Sequence, residues 1–251
     1  MSDFIALADR EILARHGLDS FDALWAARLQ AVDEPNTGRG GWSSVFRLEL
    51  GEAAYYLKRQ SNFFSRSLAR PLGEPTFARE FRNIRRYERL GIPALQAAFF
   101  GARQVDGECR AILVTRALDG WRELADWLAS WPTLAAAQRS ALLVAVAGLA
   151  WRLHQSWQMH GCFYPKHVFL REAGDGFEAC VIDLEKTRPL LLGRRDRVKD
   201  LEALVRRADA WGESEVRELL GFYLQQPSDS PKVADWLARL SSRRQNKERN
   251  Q

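Results

Sequence analysis

Lys58, Glu80, His160, Cys162, Lys166, His167 and Asp183 are the side chains whose types could do chemistry, and their order along the chain says which chemistry. A lysine that ends a strand can bind the α- and β-phosphates of a nucleotide. A glutamate on the following helix, 22 residues later, can hold that lysine in place through an ion pair. Glu74 and Glu88 compete for this role, but Glu80 lies between Phe77 and Phe81, near the packed face of its helix. Asp183 follows a strand in "VIDLEK", where a carboxylate can hold Mg²⁺ against nucleotide phosphates. Ahead of the lysine, "GRGGWSSV" spans Gly38 to Val45, and glycines there let backbone N–H groups approach phosphate. Gly38 and Gly40 fit a G-x-G start, Gly41 follows, and Ser43 stands where a third glycine would be. Each feature alone reads equally as a flexible turn, a solvated lysine, a surface glutamate or an aspartate capping a turn. The signal is their joint order.

The elements that must position these residues can be read from periodicity. Residues 1–36 form a helical lead-in, with Ser20 capping a helix that carries Phe21, Leu24, Trp25 and Leu29. The glycine-rich loop then leads into a β-hairpin: Val45, Leu48 and Leu50 on one strand, a turn at Gly51-Glu52, and Tyr55, Tyr56 and Leu57 on the next. Phe77 to Leu90 is an amphipathic helix with Phe77, Phe81, Ile84 and Tyr87 on one face, stopped by "GIPA". Strands follow at Leu95–Phe100 and Ala111–Thr115, then a long helix from Thr133 to Gln155. "HVFLRE" and "GFEACVID", joined by "AGDG", make a second hairpin. The rest is helical from Arg197 through Leu240, with a frayed basic tail. This predicts an α+β fold: a β-rich N-terminal part, 1–116, holding the lead-in and the phosphate-binding elements, and a helical part, 117–251, holding the His-containing loop and the metal-binding motif.

Composition narrows the classes. The 251 residues are 46% hydrophobic and 27% charged, which suits a soluble protein with a real core. No apolar run is long enough to cross a membrane, and the N-terminus lacks the pattern of a signal peptide. The cysteines, at 109, 162 and 180, read as free thiols, and the four histidines show no zinc-type spacing. A net charge of +5 and a pI of about 9.3 point to an anionic partner or to a generic arginine-rich surface. The nine tryptophans follow core spacing rather than a stacking platform, which argues against nucleic acid.

"LHQSWQMHGCFYPKHVFL", with His154 and His160 six residues apart, resembles the catalytic loop of the protein-kinase-like superfamily, and "IDL" resembles its metal-binding D-F-G. "REFRNIRRYERLGIPA", "HGCFYPKHVFL" and "VIDLEKTR" narrow the resemblance to the lipopolysaccharide kinase family, the Kdo and heptose kinases with their InaA-like relatives. It covers roughly residues 36 to 210. In that family the loop reads H-R-D-x-Y-x-x-H-x-x-L, and Tyr164, His167 and Leu170 fit it. The resemblance implies a bilobal kinase-like fold using ATP and Mg²⁺. It implies Lys58 on phosphate, Glu80 orienting it, Asp183 on metal and His167 at the second metal position. It also places Cys162 at the catalytic-base position, where the family has aspartate, and Gly161 where it has arginine.

A cysteine is a poor base, because its thiol titrates near ~8.5 and accepts hydrogen bonds weakly. Phosphoryl transfer is mostly positioning and charge stabilisation, so the loss need not abolish it. His160, His167 or a carboxylate from another loop could substitute. Lys166, close to the loop, can contact the transferring phosphate or be simply solvated.

Three readings stay open: a lipopolysaccharide-core sugar kinase with a modified loop, a pseudokinase that regulates or binds a partner, and a basic nucleic-acid-binding protein, the weakest of the three. The resemblance implies a lipopolysaccharide core oligosaccharide as acceptor and a cytoplasmic location. The basic segment "KRQSNFFSRSLARPLGEP", with Phe63 and Phe64 expected to be exposed and Arg59, Arg66 and Arg70 nearby, is a candidate for peripheral contact with the anionic inner membrane. It reads equally as a packed loop. "RRDRVKD", Arg194 to Asp200, is a second basic patch that could meet acceptor phosphates or simply begin a helix.

Overall fold

Alternation along one strand explains how the first half is built. In the computed structural model, which describes residues 3–38, 40–67 and 70–248, β1 (Phe4–Ile5), α1 (Leu7–Arg15) and α2 (Phe21–Ala26) precede a long hairpin of β2 (Trp42–Leu50) and β3 (Ala53–Ser61). A short hairpin of β4 (Phe64–Ser67) and β5 (Arg70–Pro75) leads to α3 (Thr76–Leu90), and β6 (Ala97–Val105) and β7 (Glu108–Arg116) follow. The main sheet is antiparallel with order β1-β6-β7-β3-β2. Successive side chains of β3 point to opposite faces. Tyr55 and Leu57 enter an apolar cluster with Leu13, Phe21, Leu24, Phe99 and Ile112, so the lead-in helices cover that face. Lys58 and Gln60 point the other way. On that second face Phe81 of α3 stacks on Phe100 with ring centroids 4.4 Å apart.

The Ser20 cap is present, accepting from the Ala23 amide. Asp9 of α1 is buried, and its carboxylate accepts from the Tyr55 hydroxyl and the Arg116 guanidinium, which offsets its desolvation.

The second half contains β8 (Arg122–Glu123), α4 (Leu124–Ala129), α5 (Ala136–Gln155), β9 (Gln158–Met159), β10 (Val168–Ala173), β11 (Gly176–Val181), β12 (Arg188–Pro189), α6 (Arg194–Val205), α7 (Glu213–Leu224) and α8 (Pro231–Glu248). β10 and β11 form the hairpin expected across "AGDG", and β8 joins its edge. Leu142, Val146, Leu149 and Leu153 of α5 are buried, as their spacing predicts. Two compact units result: Met1–Glu88 with Leu95–Asp119, and Arg89–Ala94 with Gly120–Gln251.

Several expectations change. Residues 89–94 pack with the second unit rather than the first, and Ala94 bridges Val181 there. Phe63 is buried, not exposed, because its carbonyl accepts from Gln60 and Thr76 at the start of α3. Arg59 is buried as well: it donates to the Ala27 carbonyl and lies over the Phe46 ring. Neither can meet a membrane in this conformation. Leu68 and Ala69 of that segment lie outside the described residues. The tail is helical to Glu248, and its last three residues also lie outside the described part.

Candidate active site

Lys58 sits inside a three-strand ladder, opposite Val45 on one side and Leu113 on the other, so its backbone is fixed. Its ammonium donates to Glu80 Oε1 at 2.7 Å. Gln60 makes the meeting possible. Its side chain accepts from the Phe77 amide, satisfying one of the N–H groups left open at the start of α3, and donates to the Phe63 carbonyl. This ties α3 to β3 two residues from Lys58, and Glu80 follows one turn into the helix. The rivals are committed elsewhere. Glu74 takes a two-pronged bond from Arg82, which holds its carboxyl below the usual range, and Glu88 pairs with Arg85.

The glycine-rich loop is the turn of its own small hairpin, with Asn36 bridging Ser43 and Ala31 bridging Phe46. Gly41 is dictated by packing: a Cβ there would lie 2.1 Å from the Ser61 carbonyl oxygen. The Gly38 amide donates to Asn36 Oδ1, the Gly41 amide to the Gly38 carbonyl and the Ser43 amide to the Asn36 carbonyl. Those three amides therefore serve the turn, and holding phosphate with them requires the turn to open. Gly40 has a φ of +79°, which favours glycine.

In the second unit the loop from His160 to His167 is built around Asp200, a residue that sequence reasoning left inside a basic patch. Asp200 is buried on α6 and accepts from the His160 amide at 2.7 Å and the Gly161 amide at 2.9 Å. His154 stands 3.4 Å from the same carboxylate and 2.9 Å from the Tyr223 hydroxyl. Nothing local in the sequence marks this role, because the partners are about 40 positions apart. Asp196, one turn earlier, takes Arg188 and the Leu191 and Leu192 amides. So the acids of "RRDRVKD" are structural, while Arg194, Arg195 and Lys199 are exposed.

The histidine protons follow from their partners. His160 accepts the Cys162 amide at Nδ1, so Nε2 carries the proton and donates to the Ile182 carbonyl. Complete burial pushes its pKa down, which keeps it neutral despite Asp200. The Cys162 carbonyl can only accept, so His167 donates to it from Nδ1 at 2.8 Å. His167 Nε2 is then an unshared pair facing Asp183 Oδ2 at 3.4 Å. Asp183 adopts a left-handed backbone, φ +57°, and its side chain is 42% exposed. Burial pushes the His167 pKa down too. A lone pair aimed at a carboxylate is repulsive unless a proton or a metal cation lies between them, and with the histidine neutral this pair of donors would fit a divalent metal.

Cys162 is buried. Burial first, and then the neighbouring Cys162 thiol, hold the Tyr164 hydroxyl above its ordinary pKa, although Arg207 lies 3.8 Å over the ring. Lys166 is exposed. Gly161 has a φ of +79°, and a Cβ there would meet the Lys186 carbonyl oxygen at 2.8 Å, so the arginine usual in the family has no room at this backbone geometry. The structure thus brings Lys58 to Glu80 in one unit, and Cys162, His167 and Asp183 together in the other.

Comparison with known proteins bears on family and fold. The chain is 36% identical over 181 residues to Protein InaA of Escherichia coli (strain K12), covering 71% of this chain and 82% of that protein. Its structure resembles that of WaaP solved in complex with acyl carrier protein, with a TM-score of 0.70 and 23% identity, over 97% of this chain and 99% of that one. That likeness shows the kinase-like bilobal fold. The model of the lipopolysaccharide kinase (Kdo/WaaP) family matches residues 22–223, and the chain belongs to that family.

Proposed function

We propose that the protein is an ATP-dependent kinase that phosphorylates a sugar hydroxyl of the lipopolysaccharide core, heptose or Kdo, in cell-envelope biosynthesis. The observation that carries this reading is the His167 Nε2 pair converging with the Asp183 carboxylate, an arrangement suited to a metal. Membership of a kinase family supports ATP as the phosphoryl donor. Lys58, aligned by Glu80, provides positive charge for nucleotide phosphates. Asp183 and His167 would hold Mg²⁺, which would neutralise charge on the transferring group. Lys166, exposed beside His167, serves the transferring phosphate. Cys162 supplies no effective base, so the acceptor proton leaves without the help typically worth about 10²–10⁴-fold. The protein acts in the cytoplasm, at the inner-membrane face. Among the described residues no helix is long and apolar enough to cross a membrane.

Burial of Cys162 favours a second reading, a pseudokinase that binds nucleotide and regulates or binds a partner. The two are separated by transfer of γ-labelled phosphate to purified core oligosaccharide. Transfer that disappears in Lys58→Ala and Asp183→Ala supports the kinase. Nucleotide binding without transfer to any core acceptor supports the second reading.

A further inference from the structure

The turn between β12 and α6 presents apolar side chains to solvent on a rigid frame. Leu191 and Leu192 are 69% and 57% exposed. They are not on a slack loop: the buried Asp196 carboxylate accepts from both of their amides and clamps Arg188 with two further bonds. The Leu190 amide donates to the Trp157 carbonyl, and β9 pairs with β12, so Trp157 lies at the same end of this ladder. Trp157 is 63% exposed. Its backbone is left-handed, φ +54°, and its amide is bonded to the His154 carbonyl. A single exposed leucine means little, but large apolar side chains grouped within a polar rim mark an interaction site.

The surrounding charge is mainly positive. From Arg188 to Lys199 there are five basic residues and one acid, and that acid is the buried Asp196. Arg195 and Lys199 are exposed, as is Arg152 near the end of α5. Arg194 is exposed too and reaches Asp235 at 3.6 Å. Leucines to enter the acyl boundary, a tryptophan for the headgroup level and arginines for anionic headgroups are the three parts of an interfacial binding surface.

We infer that Trp157, Leu191 and Leu192, together with the exposed Arg152, Arg195 and Lys199 of the adjoining helices, form a docking surface for an anionic phospholipid bilayer. The inference rests on the membrane-face location in the proposed function but not on catalysis. It moves the contact away from residues 59–70, where Arg59 and Phe63 are buried. An acidic protein is the competing occupant. It matches the charge, but the rigidly displayed Leu-Leu pair beside a tryptophan favours lipid.

The test is co-sedimentation of the full chain with phosphatidylcholine vesicles, with and without phosphatidylglycerol, at low and high salt. Binding is expected only to the anionic vesicles, and salt should weaken it. Leu191→Ser with Leu192→Ser should weaken it about tenfold or more, and Arg195→Glu about fivefold or more. Circular dichroism and Mg-ATP binding should be unchanged in both variants, which separates this result from any failure of the nucleotide site. Three results would overturn the inference: no binding of the wild type to anionic vesicles at low salt, which would leave an acidic protein as occupant; equal binding by the double leucine variant; or loss only in Arg66→Ala with Arg70→Ala.

Discussion

His167 aims Nε2 at Asp183 Oδ2 from 3.4 Å while its Nδ1–H is held by the Cys162 carbonyl. The imidazole is therefore oriented and its tautomer fixed before any ligand arrives. His167→Ala should lower divalent metal affinity in the presence of nucleotide by at least the ~10-fold typical of losing even an outer-shell partner. Manganese should be affected more than magnesium, since imidazole nitrogen suits the softer ion better. Competition titrations of the two metals check this, and equal affinities in wild type and variant would remove His167 from the site.

Cys162 and Gly161 can be tested separately. Cys162→Asp restores the family's base position and should raise phosphate transfer by about 10²-fold or more. Gly161→Ala should instead destabilise by about 1–2 kcal/mol or more, because a left-handed backbone and the Lys186 carbonyl both oppose a Cβ. Single-turnover transfer and urea unfolding read the two effects.

Asp200→Ala removes the acceptor of two loop amides and the neighbour of His154. With those buried groups left unpaired, about 3–5 kcal/mol of stability should be lost. Hydrogen exchange should show the His160 and Gly161 amides losing protection first.

Much of this was legible because it is local. Helical spacing marked α3 and α5, "AGDG" marked the β10–β11 hairpin, and Ser20 marked a cap. Lys58 and Glu80 could be paired on paper because one lies on a strand, although inside β3 rather than at its end as expected, and the other flanks the apolar face of the next helix. What escaped depends on contacts between distant positions. The role of Asp200 exists only once α6 packs under the loop. Arg59 looks like a surface cation until strand alternation turns it toward Ala27. The β4–β5 hairpin was hidden by a sequence rich in arginine, with proline and glycine, that carries no clear alternation.

Acid should destabilise the fold through its histidines. Burial lowers the pKa of both His160 and His167 below that of the unfolded chain. The unfolded state then binds more protons, so stability is full above about pH 6.5 and falls as pH drops below it toward the depressed folded values. Melting temperatures from pH 8 to pH 5 should be flat and then decline. His167→Asn should flatten part of that decline.

On the proposed function, Asp183, with His167, holds a metal for a bound nucleotide. Calorimetric titration of the purified protein with ATP, with and without Mg²⁺, tests it most directly. Saturable Mg²⁺-dependent binding is expected, and Asp183→Ala should abolish it. No binding by the wild type at millimolar nucleotide, or equal binding by the variant, would contradict it.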